Sequence, residues 1–401
     1  SSDLRNAPDP VLVQTIEAAA ADLRTLSLSI HDHPELNFEE HHAHAVLTEF
    51  LASAGFQVER QAYGLATAFV AHWGEGSPCV AVLCEYDALP QIGHACGHNL
   101  IAAAGVAAGL ALKARVRQGT VLVLGTPAEE GGGGKVLLIE RGAFAGVDAA
   151  LMVHPAPIHT AWPLVLAVEG VEVEFHGRAA HAAMAPHEGA NALDALVLAY
   201  NAIAVLRQQL RPDVRIHGII TRGGTKPNII PDLSAGEFYL RARSEEALAD
   251  LRQRALACFE GAALATGCRF VHRWPGPRFR DLKTNDPLAE RYVAYGRARG
   301  LAIPLPGQQD LLDQQPLSTD MGNVSYVVPA IHPLFAIETE GGNHTPAFAE
   351  AARSEQAHRA MLDAAIALAA TALDCYEDPA LLAAARAAFA AGHASAGSPA
   401  S

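Results

Sequence analysis

The first part of the chain alternates between helical and strand-like hydrophobic patterns. From residue 10 to 56, apolar residues recur every three or four positions, which predicts helices broken at "HDHPELN". Short β-branched runs follow at 66–73, 79–88, 120–130 and 149–157. A small, apolar segment of helical spacing, 99–116, lies between the second and third runs. This alternation predicts a parallel sheet covered on both faces.

The pattern changes near residue 165. Residues 164–181 alternate apolar and polar side chains, as a half-solvated antiparallel strand does. After it the sequence predicts a helix, two strands and another helix, at 189–210, 215–224, 235–244 and 244–267. The β-α-β-β-α order predicts a small ferredoxin-like α+β domain inserted into the larger one.

The C-terminal part returns to the larger domain. It predicts a long alanine-rich helix at 349–373 and a second helix at 380–390. The final small and polar residues predict a disordered tail. We therefore expect a larger domain in two parts, 1–166 and 279–390. The insertion comprises 167–278 and the tail 391–401.

Composition excludes several classes of protein. Half of the 401 residues are hydrophobic and 18% are charged, which is typical of a folded enzyme. The net charge of −14 argues against nucleic acid or an anionic membrane as the main partner. Six cysteines without a C-x-x-C pair favour a reducing compartment. No apolar run reaches the roughly 18–20 residues of a membrane span, and the polar start carries no signal-peptide pattern, so we expect a soluble cytoplasmic protein.

Side chains with metal-binding chemistry follow three successive predicted strands. In "EYDALPQIGHACGHN" (85–99), Cys96 and His98 lie two residues apart, and thiolate and imidazole together suit zinc or a related ion. In "LGTPAEEGGGG", the adjacent Glu129 and Glu130 point opposite ways on an extended chain, so one could bind metal while the other faces a bound water. His154 follows the next strand, and "GGNHTPAF" places His344 in a distant loop.

Each of these residues alone also has an ordinary structural explanation. Cys96 could be a buried structural cysteine, and two glutamates at a helix start could be solvated charges. A lone histidine after a strand is more often structural than a ligand. However, the carboxyl ends of parallel strands meet at one edge of a sheet. The joint placement therefore favours one shared site.

The motifs together resemble those of the M20 metallopeptidases. Within that family they resemble the amidohydrolase branch, which includes auxin-conjugate and aminobenzoyl-glutamate hydrolases. "EYDALPQIGHACGHN", "STDMGNVSYVVPAIHP" and "NHTPAF" are most similar to the subgroup of M20 domain-containing protein 2 and bacterial aminobenzoyl-glutamate hydrolase subunits. The resemblance covers nearly the whole chain. It implies an α/β, zinc-peptidase-like catalytic domain with a mainly parallel central sheet, and an inserted ferredoxin-like domain that acts as a lid and in dimerisation.

The resemblance also implies two divalent metal ions, zinc first, with manganese or cobalt as alternatives. The implied ligands are Cys96 as a bridging thiolate, His98, Glu130, His154 and His344. Glu129 matches the general base, which would take a proton from a metal-activated water and pass it to the leaving amine. Asp87 matches an acid that supports a ligand. Glu85 stands where many M20 peptidases have a ligand histidine, and we expect it not to bind metal.

The insertion carries further matching motifs. In "HGRAAHAAMAPHEGANALDA", His181 matches a histidine that, in dimeric relatives, reaches the partner's active site and stabilises the oxyanion. In "GGTKPNIIPD", Asn228 matches a substrate-binding residue. Arg241 or Arg243 could bind a substrate carboxylate, although each could be an ordinary edge-strand residue. Asn323, in "LSTDMGNVS", is a further candidate for substrate contact. We expect a homodimer formed through the lid domain.

The predicted activity is hydrolysis of the amide bond in small dipeptides or N-acyl amino acids. The subgroup suggests dipeptides with a basic residue, or amides like aminobenzoyl-glutamate. One alternative is a cysteine hydrolase with Cys96 as nucleophile, which the Glu129–Glu130 pair fits poorly. The other is a non-catalytic binding protein that keeps the fold. In that class we expect loss of the general base or of ligands, and this sequence retains both.

Overall fold

The structure, a computed structural model, describes residues 7–305 and 316–394. Contacts divide this part of the chain into one unit that runs up to residue 164 and resumes at 282, and a second unit at 165–281. The helices are α1 (Pro10–Ala18), α2 (Ala20–His31), α3 (His41–Ser53), α4 (His98–Arg115), α5 (Gly134–Glu140), α6 (Ala192–Arg207), α7 (Glu245–Thr266), α8 (Asp286–Ala298), α9 (Met321–Val324), α10 (Pro346–Ala351), α11 (Glu355–Glu377) and α12 (Pro379–Ala394). The strands are β1 (Gln57–Arg60), β2 (Phe69–Glu75), β3 (Cys79–Cys84), β4 (Gly119–Gly125), β5 (Ala149–Leu151), β6 (His154–Ala156), β7 (Ala167–His176), β8 (Arg215–Arg222), β9 (Leu233–Ala242), β10 (Arg269–Arg273), β11 (Ala330–Ile331) and β12 (Leu334–Ala336).

The larger unit is built around a six-stranded sheet of order β1-β2-β4-β3-β5-β11. Strands β4, β3, β5 and β11 are parallel, whereas β1 and β2 join antiparallel at one edge. Alternate residues of β3 pack into different cores: Val80 and Val82 into one cluster, and Ala81 and Leu83 into the other. Both faces are thus covered, as expected of parallel strands, and the predicted mainly parallel sheet is confirmed.

Helix α4 connects β3 to β4 and is buried on nearly every side. It packs on both strands and is covered by α1, α2 and α11. The small residues of "NLIAAAGVAAGLAL" permit this close packing. Helix α4 begins at His98, after the loop that follows β3, and its first turn lies at the carboxyl end of that strand. The carboxyl ends of β3, β4 and β5 lie at the same edge of the sheet, which collects the polar residues that follow them.

The smaller unit is a four-stranded antiparallel sheet of order β10-β7-β9-β8. Its β-α-β-β-α-β connectivity is ferredoxin-like, which confirms the fold predicted for the insertion. Helices α6 and α7 pack together and on the sheet, where Val171, Val173 and Phe175 of β7 form part of a separate core.

The C-terminal helices differ from the prediction. The expected helix 349–373 is two helices, α10 and α11, because the hydroxyl of Ser354 accepts a hydrogen bond from the backbone N–H of Ala357 and starts a new helix. Helix α12 continues to Ala394, so the predicted disordered tail does not begin at 391, and 395–401 lie outside the described residues. Strands β1, β10, β11 and β12 were not predicted, and the single strand predicted at 149–157 is two strands, β5 and β6. No helix in the described ranges has the length and apolar character of a membrane span.

Candidate metal centre

Strand ends of the larger unit position most of the candidate ligands. Strand β3 ends at Cys84 and is followed by the buried carboxylates of Glu85 and Asp87. The loop after β4 carries Glu129 and Glu130, and the chain after β5 enters β6 at His154. These segments are far apart in sequence, and the parallel sheet brings their ends together.

The segment between β3 and α4 contributes two side chains. Gly97, which caps α4 between Cys96 and His98, has a φ of +77°. A Cβ at this glycine would lie 2.5 Å from Cγ of Pro155, so the close approach requires glycine. As a result, Sγ of Cys96 lies 3.5 Å from Nε2 of His154.

All five predicted ligands contribute to clusters of donor atoms. Three overlapping groups have their donor atoms within 4.8 Å of one another: Cys96–His98–His154, Cys96–Glu130–His344 and His98–Glu129–Glu130. Cys96, His98 and Glu130 each belong to two of these groups, so the groups form one continuous set of donors. The structure therefore brings together residues that the sequence separates by up to 248 positions, from Cys96 to His344.

The chemistry of these donors fits divalent metal ions. Sulfur, imidazole nitrogen and carboxylate oxygen are the ligands that zinc prefers in proteins. Nε2 of His98 is buried and makes no hydrogen bond, and the buried Oε1 of Glu130 has only Nε2 of His344 close to it, at 3.2 Å. Buried polar atoms normally have partners, so such atoms grouped in one place suit metal coordination.

The donors are held by a second layer of hydrogen bonds. Nδ1 of His98 lies 3.0 Å from Oδ1 of Asp87, whose other oxygen accepts the backbone N–H of Glu130 at 2.9 Å. Nδ1 of His154 lies 2.7 Å from the carbonyl oxygen of Pro155. Each imidazole therefore uses Nδ1 for support and leaves Nε2 facing the centre, as in many metal sites.

His344 comes from a loop with an unusual backbone. Its φ is +66°, and its backbone N–H donates to the carbonyl of Ala95 at 2.8 Å, which fixes the loop beside Cys96. Nε2 of His344 lies 3.2 Å from Oε1 of Glu130. A left-handed conformation at a residue other than glycine costs energy and is often found at functional sites.

Electrostatics distinguish the two adjacent glutamates. Burial, followed by the charges of Glu85 and Glu130, raises the pKa of Glu129 well above its usual value. For Glu130 burial also acts to raise the pKa, but the hydrogen bond to His344 and the charge of His98 outweigh it and lower the pKa. Glu129 therefore has the proton affinity expected of a general base or acid, and Glu130 that of an ionised ligand.

Burial also raises the pKa of the Cys96 thiol, with a further contribution from the charge of Glu130. A protonated, buried thiol is a poor nucleophile, because the thiolate is the reactive form. This environment disfavours the cysteine-hydrolase alternative. It suits a thiol whose proton would be released to solvent when a metal ion binds the sulfur.

Two residues that the sequence patterns did not single out support the centre. The side chain of Lys135, at the start of α5, is fully buried between the carboxylates of Glu85 and Asp320. Glu40, also buried, accepts hydrogen bonds from the N–H of Ala128 at 2.9 Å and the hydroxyl of Thr67 at 2.6 Å. Glu40 thereby fixes the left-handed residue, φ +58°, that precedes Glu129.

His181 and Asn228 belong to the smaller unit, where backbone pairing joins their loops. Nδ1 of His181 accepts the N–H groups of Ala183 at 3.3 Å and Met184 at 3.2 Å. The N–H of Ala182 donates to the carbonyl of Asn228 at 3.1 Å. Because Nδ1 is an acceptor here, Nε2 carries the proton, and the exposed ring can donate it to a ligand.

The remaining candidates have different surroundings. Arg241 lies on β9, with Nε 3.3 Å from Nε2 of His217 and its guanidinium over the ring of Tyr239. Arg243 is exposed just beyond the same strand. Asn323 is buried in α9 of the larger unit and donates its backbone N–H to the carbonyl of Asp320 at 3.0 Å.

Comparison with known proteins supports the resemblance seen in the sequence. The model of the peptidase dimerisation domain of the M20 family matches residues 168–266. The chain is 46% identical over 386 residues to Xaa-Arg dipeptidase of Mus musculus, covering 92% of this chain and 89% of that protein. It is 31% identical to one of the p-aminobenzoyl-glutamate hydrolase subunits of Escherichia coli K12, with 92% of each covered.

Solved structures share the fold. A Bacillus subtilis protein described as a dinuclear metal-binding peptidase of the M20 family superposes with a TM-score of 0.70 at 21% identity, covering 90% of this chain and 99% of that one. The aminobenzoyl-glutamate utilization protein of Klebsiella pneumoniae gives a TM-score of 0.67 at 20% identity, covering 90% and 98%.

Proposed function

Since the chain belongs to the M20 family of metal-dependent peptidases and amidohydrolases, we propose that it hydrolyses dipeptides with a basic C-terminal residue. The reaction takes place at a dinuclear metal site made by Cys96, His98, Glu130, His154 and His344. Zinc is the expected metal, and manganese and cobalt are the alternatives.

One observation carries this proposal: donors from four separate segments converge on Cys96 with Glu129 beside them. A structural role for each residue would not require sulfur, nitrogen and oxygen donors within 4.8 Å of one another. Nor would it leave Nε2 of His98 buried without a hydrogen bond.

The protein's own residues then have distinct tasks. Metal ions bound here would polarise the amide carbonyl and make a water molecule acidic enough to react near neutral pH. Glu129 takes a proton from the attacking water on its carboxylate and releases it to the leaving nitrogen, which its raised pKa favours. Asp87 keeps His98 in the tautomer that presents Nε2.

The relatives support the substrate class. Xaa-Arg dipeptidase, 46% identical to this chain, is named for dipeptides that end in arginine. Amides like aminobenzoyl-glutamate are the second candidate, because the hydrolase named for that compound has a subunit 31% identical to this chain. In either class the substrate has a free carboxylate. We assign Arg241 or Arg243 to bind it, with Asn228 and Asn323 as further substrate contacts and His181 as the donor to the developing oxyanion.

A homodimer formed through residues 165–281 is part of the proposal. Its support is the match to a dimerisation domain and an apolar surface on the smaller unit. Strand β8 lies at the edge of its sheet with Ile219 61% exposed, and α6 exposes Val205 at 70%. The unpaired backbone groups of such an edge strand can pair with those of a second copy. The six free cysteines support a cytoplasmic location.

A substrate panel tests the proposed activity. The purified protein is depleted of metal with a chelator, dialysed, and reconstituted separately with Zn²⁺, Mn²⁺ or Co²⁺. It is then assayed on Ala-Arg, Ala-Lys, Ala-Glu, N-acetylarginine and p-aminobenzoyl-glutamate. We expect turnover only after metal is restored, with the highest kcat/KM on Ala-Arg or Ala-Lys. Full activity in the metal-free protein together with inactivation by iodoacetamide would establish the cysteine mechanism instead.

A further inference from the structure

Lys135 is the most unusual residue near the candidate metal centre. It is the second residue of α5 and has no solvent exposure. Its Nζ contacts Oε1 of Glu85 and lies 2.8 Å from Oδ1 of Asp320. The other Asp320 oxygen accepts the backbone N–H of Lys135 at 2.9 Å, so Asp320 holds this lysine at two points.

The carboxylates around this lysine have the spacing of a cation site. Glu85, Glu129 and Asp320, hereafter the acid cluster, place one oxygen each within 4.8 Å of one another. At most 6% of any of the three residues is exposed. Carboxylates removed from bulk solvent require a positive charge or a proton, and the Lys135 ammonium supplies one positive charge to Glu85 and Asp320.

The acid cluster adjoins the donors assigned to metal. Oε2 of Glu85 lies 3.5 Å from Nε2 of His98, whereas Oε1 contacts Lys135. Glu129 belongs both to the acid cluster and to a donor group with His98 and Glu130. A divalent ion could therefore be attracted to either side of Glu129 unless one side already holds a cation.

We propose that Lys135 is a positioning residue whose ammonium is the resident cation of the acid cluster and confines divalent ions to the donors around Cys96. The lysine occupies Oε1 of Glu85, while Oε2 of the same carboxylate lies beside Nε2 of His98. Glu129 then lies between the donors assigned to metal on one side and the fixed positive charge of Lys135 on the other. The normal number of bound ions rests on the proposed function, but the effect of Lys135 on that number does not.

Removing the charge should convert the acid cluster into an additional metal site. Lys135→Met keeps the length and apolar stem of the side chain but leaves three carboxylates without a counter-ion. Carboxylate oxygens suit Mn²⁺, so titration with Mn²⁺ should show a gain of about one bound ion per chain over the wild type. The count is measured by elemental analysis after gel filtration and by electron paramagnetic resonance of the free Mn²⁺.

Two further variants control this experiment. Lys113→Met removes a lysine whose Nζ donates to the backbone carbonyl of Ala54, outside the acid cluster, and should leave the count unchanged. Lys135→Met combined with Asp320→Asn removes one charge of each sign from the cluster and should return the count to that of the wild type.

The outcomes separate this inference from the proposed function. A wild type without its own pair of ions argues against the dinuclear proposal, whereas only the difference between Lys135→Met and the wild type tests the role of Lys135. Equal counts in the two proteins overturn the inference. If Lys135→Met alone does not fold, recovery of a cooperative melting transition in the charge-balanced double variant supports the inference. A double variant that folds no better than the single one overturns it.

Discussion

Nδ1 of His98 lies 3.0 Å from Oδ1 of Asp87, and both side chains are fully or almost fully buried. The second oxygen of Asp87 accepts the backbone N–H of Glu130. One carboxylate thus orients two of the donors assigned to metal. This pairing also raises the pKa of His98: burial acts to lower it, but the charge of Asp87 and its hydrogen bond to His98 outweigh that effect.

Replacing this carboxylate should weaken metal binding more than folding. In Asp87→Asn we expect metal affinity to fall about 10–100-fold, the usual loss when a hydrogen-bond partner of a metal ligand is changed. Affinity is measured by competition with a chromophoric chelator. Asp148→Asn is a matched control, because Asp148 accepts the N–H of Cys79 at a distance from the donors. Equal affinities in the two variants would argue against the assigned role of Asp87.

Metal binding should release protons, and affinity should therefore rise with pH. The pKa of Cys96 is raised by burial and that of His98 is also raised, so both groups carry a proton at pH 7 without metal. Burial lowers the pKa of His154 to about 4, so it has none to lose. Each released proton gives up to about tenfold in affinity per pH unit. Calorimetry in buffers of different ionisation enthalpy counts the released protons. A metal affinity that does not change between pH 6 and pH 8 would contradict this prediction.

Glu40 should control the loop that carries Glu129. Glu40→Ala leaves the N–H of Ala128 without its acceptor, and we expect a loss of about 1–3 kcal/mol in stability and about 100-fold in kcat. Glu40→Gln keeps an acceptor for Ala128 and should retain most activity. Loss of activity in Glu40→Gln equal to that in Glu40→Ala would show that hydrogen bonding to the loop is not what matters.

The same residue should make stability depend on pH. Burial, with the charge of Asp87, raises the pKa of Glu40 from 4.5 to about 7 in the folded protein. A carboxyl whose pKa is raised by folding stabilises the folded state at any pH below its pKa in the unfolded chain. This contribution of about 3 kcal/mol is lost as the pH rises from 4.5 to 7. The free energy of unfolding, measured with denaturant at several pH values in this range, should change less with pH in Glu40→Gln than in the wild type. Parallel pH profiles would contradict the shift.

His181 should affect turnover without affecting metal. His181→Asn retains an acceptor for the N–H groups of Ala183 and Met184 but loses the Nε2–H donor. We expect kcat to fall about 100–1,000-fold, with metal content and melting temperature unchanged. His187→Asn, a change at another exposed histidine nearby, is the control. A normal kcat in His181→Asn would remove this residue from the mechanism.

What the sequence could predict depended on local patterns. Cys96, His98, Glu130 and His154 follow β-branched runs, and parallel strand ends converge, so their meeting was predictable from the order of the strands. His344 lies in a loop, and only its match to a family motif connected it to the others. Strands of two or three residues such as β11 have too few positions to show a period.

Lys135 and Glu40 show what the sequence could not predict. A lysine after four glycines at a helix start resembles an exposed residue, because its partner Asp320 lies 185 positions away. Glu40 lies among histidines and acids that resemble a solvated amphipathic segment, and its acceptor role depends on Ala128, 88 positions away. Both are buried charges whose partners come from tertiary contacts, so no local pattern identifies them.

The role of Glu129 as general base is tested most directly by Glu129→Gln, assayed in parallel for metal content and for turnover of Ala-Arg. Glutamine has nearly the same shape but cannot take a proton from water. We expect the metal content of the wild type and a fall in kcat of about 100–10,000-fold. Wild-type turnover in a fully metal-loaded Glu129→Gln variant would contradict the assignment of Glu129 as general base.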